Sequence, residues 1–347
     1  MEEIILAIRL RQLGDILATL GALKALKRGA PARRILFMID RPYHRLLRNE
    51  PYIDELLAPP PRIGRPGDAV AFTASLERLR RRRLSCVLDF HSNPRSALVT
   101  LLSGAPRRIG FDVRVRKIAY TEVEPRARWR NGRRLRMTSH EAALGLAERA
   151  GRVDAEPEPL CALTVDDETL AESLSLYDTL GIGAGAVGIN PGKPYPAKAW
   201  PVDSFAGLAR RLVSAGRRVV VLWGPGEREQ AEWIRDRAGT GVLLAPELPL
   251  HLLAGFLKRL SLVMTIDSGL KHLAVSVRVP TVTLFGPTSR TEWHMGTAGD
   301  RAVSLDLSCS PCRLLECPFG SPCMTDIPVE RVYAAVDSLL SGQDDAA

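Results

Sequence analysis

Aromatic residues make up only 5% of this 347-residue chain. A single-strand nucleic-acid platform needs aromatics interleaved with its cations so that bases can stack. Within the arginine-rich runs only Trp129 meets that need, so no nucleic-acid partner is expected. No apolar run approaches the roughly 18 residues that would span a bilayer. The start, MEEIILAIRL, is acidic and lacks the basic segment of a secretory signal. The expectation is therefore a cytoplasmic chain whose six cysteines stay reduced. Also missing is G-x-G-x-x-G behind a strand. The first strand-to-helix turn carries Gly14 alone, followed by Asp15. An NAD-dependent oxidoreductase or epimerase needs that glycine pattern, so this alternative lacks its signature.

What is present points to an α/β protein of two domains. Apolar residues form 46% of the chain and charged residues 25%, as in soluble globular proteins. Strand-like runs alternate with helical ones, the mark of βαβ units and parallel sheets. IILAIRL (4–10), RILFMI (34–39) and LSCVLDF (84–90) read as strands. ILATLGALKALKRG (16–29), SLERLRRRR (75–83), PRSALVTLLSG (94–104) and SHEAALGLAERAG (139–151, N-capped by Ser139) read as helices. The proline-bearing stretch 152–167 reads as a linker. A second series starts at AVGINPG (186–192) and runs through strands at 217–224, 241–246, 261–267 and 281–286. Two doubly wound halves, 1–160 and 161–347, follow from this pattern. Ligands of such sheets sit beyond the carboxyl ends of the strands.

The net charge of +9 is mostly arginine in the first half, at RLRRRR (78–83), RVRK (114–117) and RARWRNGRRLR (126–136). Such a surface attracts polyanions such as acidic headgroups or phosphorylated sugars, or is simply a solvated charged face. A non-catalytic binder of polyanions would explain these runs but not the turn motifs that follow.

IDSGLKH (266–272) lies where a strand turns into a helix. Free amides and a partial positive charge suit a phosphate there. Gly269 permits close approach of a ligand, and His272 lies one turn further on. The alternative is that Asp267 or Ser268 caps the helix and His272 is an ordinary polar residue. NPGKPYPAKAWP (190–201) is a rigid loop whose cations, Lys193 and Lys198, could neutralise a diphosphate leaving group or simply face solvent. In WGPGERE (223–229), Glu227, with Glu229 in reserve, could accept from ribose hydroxyls, or favour a helix dipole. Asp15 is either a helix N-cap or a general base that takes the proton of an attacking hydroxyl. A carboxylate there would repel a diphosphate. The first half is thus expected to hold the acceptor and the second half the nucleotide.

Taken in order, these motifs resemble glycosyltransferase family 9, the bacterial heptosyltransferases of lipopolysaccharide core assembly. The matching stretches are RLRQLGDILATLGALKAL, LDFHSNPRSAL (88–98), RRIGFD (107–112), INPGKPYPAKAWP, VLWGPGE and IDSGLKHLAVSVRVPTVTLFGPT (266–288). The resemblance implies an inverting transferase of GT-B type, with two Rossmann-like domains facing a central cleft and no catalytic metal. It implies ADP-L-glycero-β-D-manno-heptose as donor and a lipid A–linked, anionic inner-core oligosaccharide as acceptor. By the same likeness Asp15 is the base and Lys198 contacts the donor phosphates. Glu227 matches the ribose position, and Asp267, Ser268, Gly269 and His272 line the donor. Arg9 would meet acceptor or donor phosphate. Lys193 and Pro194 stand where hydroxyl residues are common, so another nucleotide sugar is an alternative donor. An acceptor of that kind would place the enzyme peripherally on the inner face of the cytoplasmic membrane, steered by the arginine clusters.

The tail CSPCRLLECPFGSPCM spaces Cys309, Cys312, Cys317 and Cys323 as C-x2-C-x4-C-x5-C. Four thiolates could hold a structural Zn²⁺, although the usual pattern has two close pairs. The alternative is four reduced thiols packed on the body of the protein.

Overall fold

The structure is a computed structural model. It describes residues 3–62, 64, 67–130, 133–154, 162–183, 185–192, 195–294 and 296–342. The chain divides into two compact units, Met1–Cys161 and Ala162–Ala347.

The first unit holds β1 (Ile4–Ile8), β2 (Arg34–Met38), β3 (Glu55–Leu57), β4 (Cys86–Asp89), β5 (Arg107–Phe111) and β6 (Glu122–Glu124). They pair in the order β3-β2-β1-β4-β5-β6, all parallel. β7 (Ala127–Arg130) and β8 (Arg133–Arg136) add a separate antiparallel ribbon. The second unit holds β9 (Val187–Asn190), β10 (Val219–Val221), β11 (Val242–Leu244), β12 (Leu262–Ile266), β13 (Thr281–Phe285) and β14 (Asp300–Ser304). Their order, β11-β10-β9-β12-β13-β14, repeats that of the first sheet. In each sheet the winding reverses between the first and fourth strands. That switch point opens the crevice in which doubly wound folds bind ligands.

Strands buried on both faces need continuous apolar runs, and β1, β2, β4, β9, β12 and β13 have them. Leu6, Ile8, Leu36 and Val87 pack against Phe72, Leu76 and Leu79 of the helix Asp68–Arg80. In the second unit Val187, Ile189, Leu262 and Met264 pack against Phe205, Leu208 and Leu212. The terminal helix Val329–Ser341 closes that core with Val332 and Val336.

Several boundaries differ from expectation for local reasons. β1 ends at Ile8, and the helix after it begins at Leu13 rather than 16. The left-handed residue of this turn is Gln12, at φ 75°, not Gly14. Asp15 therefore lies inside the first helical turn and makes no N-cap. The helix Ser139–Ala150 is capped by Thr138, not Ser139. Thr138 Oγ1 accepts from Glu141 N, and Glu141 Oε2 accepts from Thr138 N, a capping box. The helix Gly269–Ser276 has Ser268 in the N-cap position, yet no side chain caps it. Most of the expected linker, 155–161, lies outside the described residues. β3, β5, β6, β14 and the helix Val329–Ser341 were not anticipated as elements; the strands are short or begin with charged residues.

Candidate active site

In the first unit the chemistry gathers at the carboxyl ends of β1 and β4. Arg9, just past β1, forms an ion pair with Asp15, and its other terminal nitrogen donates to Phe90 O. Both partners are largely buried, with side chains 13% and 21% exposed. Arg9 thus fixes the Asp15 carboxylate against the loop that follows β4.

That loop is held from below by Asp89, a fully buried carboxylate. Its Oδ1 accepts from His91 N (3.0 Å) and Ser92 N (2.7 Å). Its Oδ2 accepts from Tyr120 Oη at 2.8 Å. Burial pushes the Asp89 carboxyl up, and the Ser92, Tyr120 and His91 hydrogen bonds resist it. Tyr120 reaches Asp89 because residue 110 is glycine. A Cβ there would meet the Tyr120 ring at 2.3 Å, closer than atoms can stand. Ser92 pays for the tight turn with a left-handed backbone, φ 51°.

Leu10 N donates to His91 Nδ1 at 3.1 Å. A neutral imidazole has one donor and one acceptor nitrogen, so this bond places the remaining proton on Nε2. Burial, and then Arg9, Arg11 and Arg126, push the His91 pKa down to about 4. His91 is therefore neutral at physiological pH. Arg126 lies over the Phe111 ring, 4.3 Å from its centroid. Beside this cluster is a pocket of about 530 Å³. Arg11, Arg62 and Arg95 supply its cations, Asp40 its carboxylate, and Phe72 and Leu98 part of its apolar wall.

In the second unit the corresponding switch point brings Lys198 and Asp267 together. Lys198 Nζ donates to Asp267 Oδ2 at 3.1 Å, with side chains 13% and 7% exposed. Asp267 also meets Lys271, whose Nζ lies 3.3 Å from Oδ1 and whose side chain has no exposure. Lys271 further donates to Trp293 O and lies over the Phe285 ring at 5.2 Å. Burial works to raise the Asp267 pKa, but Lys271, Lys198 and His272 outweigh it and the net shift is downward. His272 is buried beneath Trp293, with the rings edge to face at 5.5 Å. Its Nδ1 has no hydrogen-bond partner. Burial, and then Lys271, drive its pKa well below the ordinary value. Ser268 and Gly269 open the uncapped helix directly after Asp267. At the end of β10, Glu227 Oε2 accepts from Gly224 N at 2.9 Å and closes the turn. Lys193 lies outside the described residues.

The cysteine tail braces these loops. Ala197 N donates to Leu315 O, Arg313 N to Pro287 O, and Ser310 Oγ to Gly286 O. Cys323 is buried and its thiol is pushed up, first by burial and then by Cys312, Cys317 and Cys309 nearby. Among the described residues, no three His, Cys, Asp or Glu groups gather to hold a metal ion.

The model of glycosyltransferase family 9 (heptosyltransferase) matches residues 73–322, well over half of the chain. The chain belongs to glycosyltransferase family 9. Among curated relatives, it is 25% identical to lipopolysaccharide heptosyltransferase 2 of Salmonella typhimurium, covering 94% of this chain and 96% of that protein. It is 30% identical to lipooligosaccharide heptosyltransferase 2 of Campylobacter jejuni over 169 residues, 46% of this chain and 52% of that one. The chain thus spans about half the length of the latter relative. Its fold matches a family 9 glycosyl transferase from Veillonella parvula, with a TM-score of 0.83, 23% identity and 99% of both chains covered. It also matches E. coli ADP-heptose lps heptosyltransferase II, with a TM-score of 0.77, 22% identity, and 98% and 99% covered. The fold is of GT-B type, as the motif order implied.

Sequence reading missed four contributors. His91 sat inside a quoted motif with no role. Lys271 lies inside IDSGLKH, and nothing local announces that its neighbour Asp267 is buried. Tyr120 and Arg126 reach the site by packing on Gly110 and Phe111 of β5.

Proposed function

We propose that this family 9 member is an inverting glycosyltransferase of lipopolysaccharide inner-core assembly. It transfers an L-glycero-D-manno-heptosyl group from ADP-heptose to an anionic, lipid-linked acceptor. The observation that carries the reading is the buried Lys198–Asp267 pair beside an uncapped helix N-terminus. A developing diphosphate needs a cation and free amides in a largely dry site, and both are preassembled at the switch point of the second sheet. Glu227 stands at the next strand end for the ribose hydroxyls. In the first unit the arginine-lined pocket suits a sugar bearing carboxylate or phosphate, since guanidinium forks match both.

In this reading an acceptor hydroxyl gives its proton to Asp15 and attacks the anomeric carbon from the face opposite ADP. The C–O bond to the diphosphate breaks, and Lys198 and the amides at 268–270 receive the departing charge. Arg9 holds Asp15 in place through the step. Asp15→Asn should keep ADP-heptose affinity and lose turnover by about two orders of magnitude or more. ADP release measured with inner-core acceptor, together with donor binding, checks this; near-normal turnover would refute the base assignment.

A further inference from the structure

The short 3-10 segment Arg114–Ala119 packs on the helix Pro94–Leu102, joined through Ala97 and Ala119. Four large aliphatic side chains on these two elements are exposed, two of them almost fully. Val115 is 83% exposed, Ile118 79%, Leu101 44% and Leu98 40%. A soluble surface rarely leaves such residues together without a use. The 3-10 segment carries Arg114, Arg116 and Lys117, and neither it nor the helix, whose Arg95 turns to the pocket and Asp40, has a carboxylate. Arg108 reaches under the 3-10 segment and donates to Ala119 O. Asp112, just before the 3-10 segment, lies 3.9 Å from Lys117.

We infer that this face of the first unit is a membrane-docking surface that seats Val115 and Ile118 among the acyl chains of an anionic bilayer. Apolar side chains ringed by cations are the makeup of an interfacial anchor: the chains enter the headgroup boundary while the cations stay with the lipid phosphates. Each basic group near an anionic surface adds attraction, and salt weakens it. Charge selects the bilayer over a second copy of the chain, because a two-fold contact would set these cations against their own images. The placement also has a use. Leu98 belongs both to this face and to the arginine-lined pocket. A lipid-linked acceptor could therefore pass from the bilayer into the pocket without leaving the protein surface. This last step rests on the heptosyltransferase reading; the docking itself does not.

The test is co-sedimentation of the full chain with phosphatidylcholine vesicles, with and without phosphatidylglycerol, at low and high salt. The wild type should bind the anionic vesicles, and less so at high salt. V115D/I118D should bind at least about tenfold more weakly while its melting temperature stays unchanged, as expected for such exposed positions. R114Q/K117Q should lose most of the salt dependence. Phe319→Asp, at a 76% exposed residue of the second unit, should bind as wild type. Failure of the wild type to bind anionic vesicles at low salt overturns the inference. So does V115D/I118D binding as wild type, or a dimer in light scattering that this variant dissolves without any change in vesicle binding. A second readout separates the two readings. V115D/I118D should turn over a vesicle-embedded acceptor more slowly, and a short water-soluble acceptor at the wild-type rate. Vesicle binding with no heptosyl transfer by the wild type would leave the docking surface standing and remove the proposed reaction.

Discussion

Asp267→Asn is the most informative single change in the second unit. It exchanges one carboxylate oxygen for an amide nitrogen and leaves the shape intact, but removes the counter-charge of two lysines at once. Lys198 keeps 13% of its side chain exposed and can turn toward water. Lys271 has no exposure and would keep the Trp293 carbonyl, the Phe285 ring and the weaker pull of the Asp300 carboxylate. Removing one partner of a buried pair typically costs about 3–5 kcal/mol, because the remaining charge stays desolvated. For a unit of about 150–250 residues, 1 kcal/mol moves the melting temperature by about 2–4 °C. The variant should therefore melt roughly 6–20 °C lower by calorimetry. Lys271 would also lose the largest interaction that supports its charge, so its pKa in the folded variant should drop further below that of the unfolded chain. The folded state then binds fewer protons than the unfolded state, and stability should rise with pH over that interval. The second-site change Lys271→Met removes the stranded ammonium, so the double variant D267N/K271M should recover most of the loss. Melting within about 1 kcal/mol of wild type for D267N, or no recovery in the double variant, would show that the triad does not act as a buried charge network.

Two further expectations concern other parts of the fold. A nitrogen-detected NMR titration should find His91 as the Nε2–H tautomer and still neutral at pH 5, with protonation near the value of about 4 set by burial and by Arg9, Arg11 and Arg126. Because this pKa lies below that of the unfolded chain, the stability His91 contributes is complete above about pH 6.5 and fades as pH falls toward 4. A midpoint near 6.5 would contradict the Leu10 anchor. Gly286→Ala would drive a Cβ to 2.5 Å from Met324 Sδ and 3.0 Å from Cys323 Sγ. The buried Cys323–Met324 turn would have to shift, costing about 1–3 kcal/mol in denaturant unfolding; a neutral change would mean that this turn does not brace the loop.

The parts of this fold that were legible in the sequence are those written in consecutive residues. β1, β2, β4, β9, β12 and β13 are apolar runs because parallel strands are buried on both faces, and the turn motifs follow them directly. The parts that were not legible depend on partners distant in the chain. Asp15 invited reading as a cap because a carboxylate in a helix's first turn usually is one. Its actual partner, Arg9, is set by a turn whose strained residue is Gln12, with no glycine to announce it. Asp89 ends a strand that the apolar run announces, yet its purpose is visible only once Gly110 admits Tyr120 from the end of the 3-10 segment Arg114–Ala119. Lys271 shows the same logic in the second unit. One turn after Asp267 on a short helix it has the spacing of a surface ion pair, and only the packing of Trp293 and Phe285 turns it into a buried charge. Family motifs bring residues such as Asp15, Lys198 and Asp267 into view one by one. The physical arrangement adds the arginine, tyrosine and lysine that orient them, and a reading by position alone leaves those out.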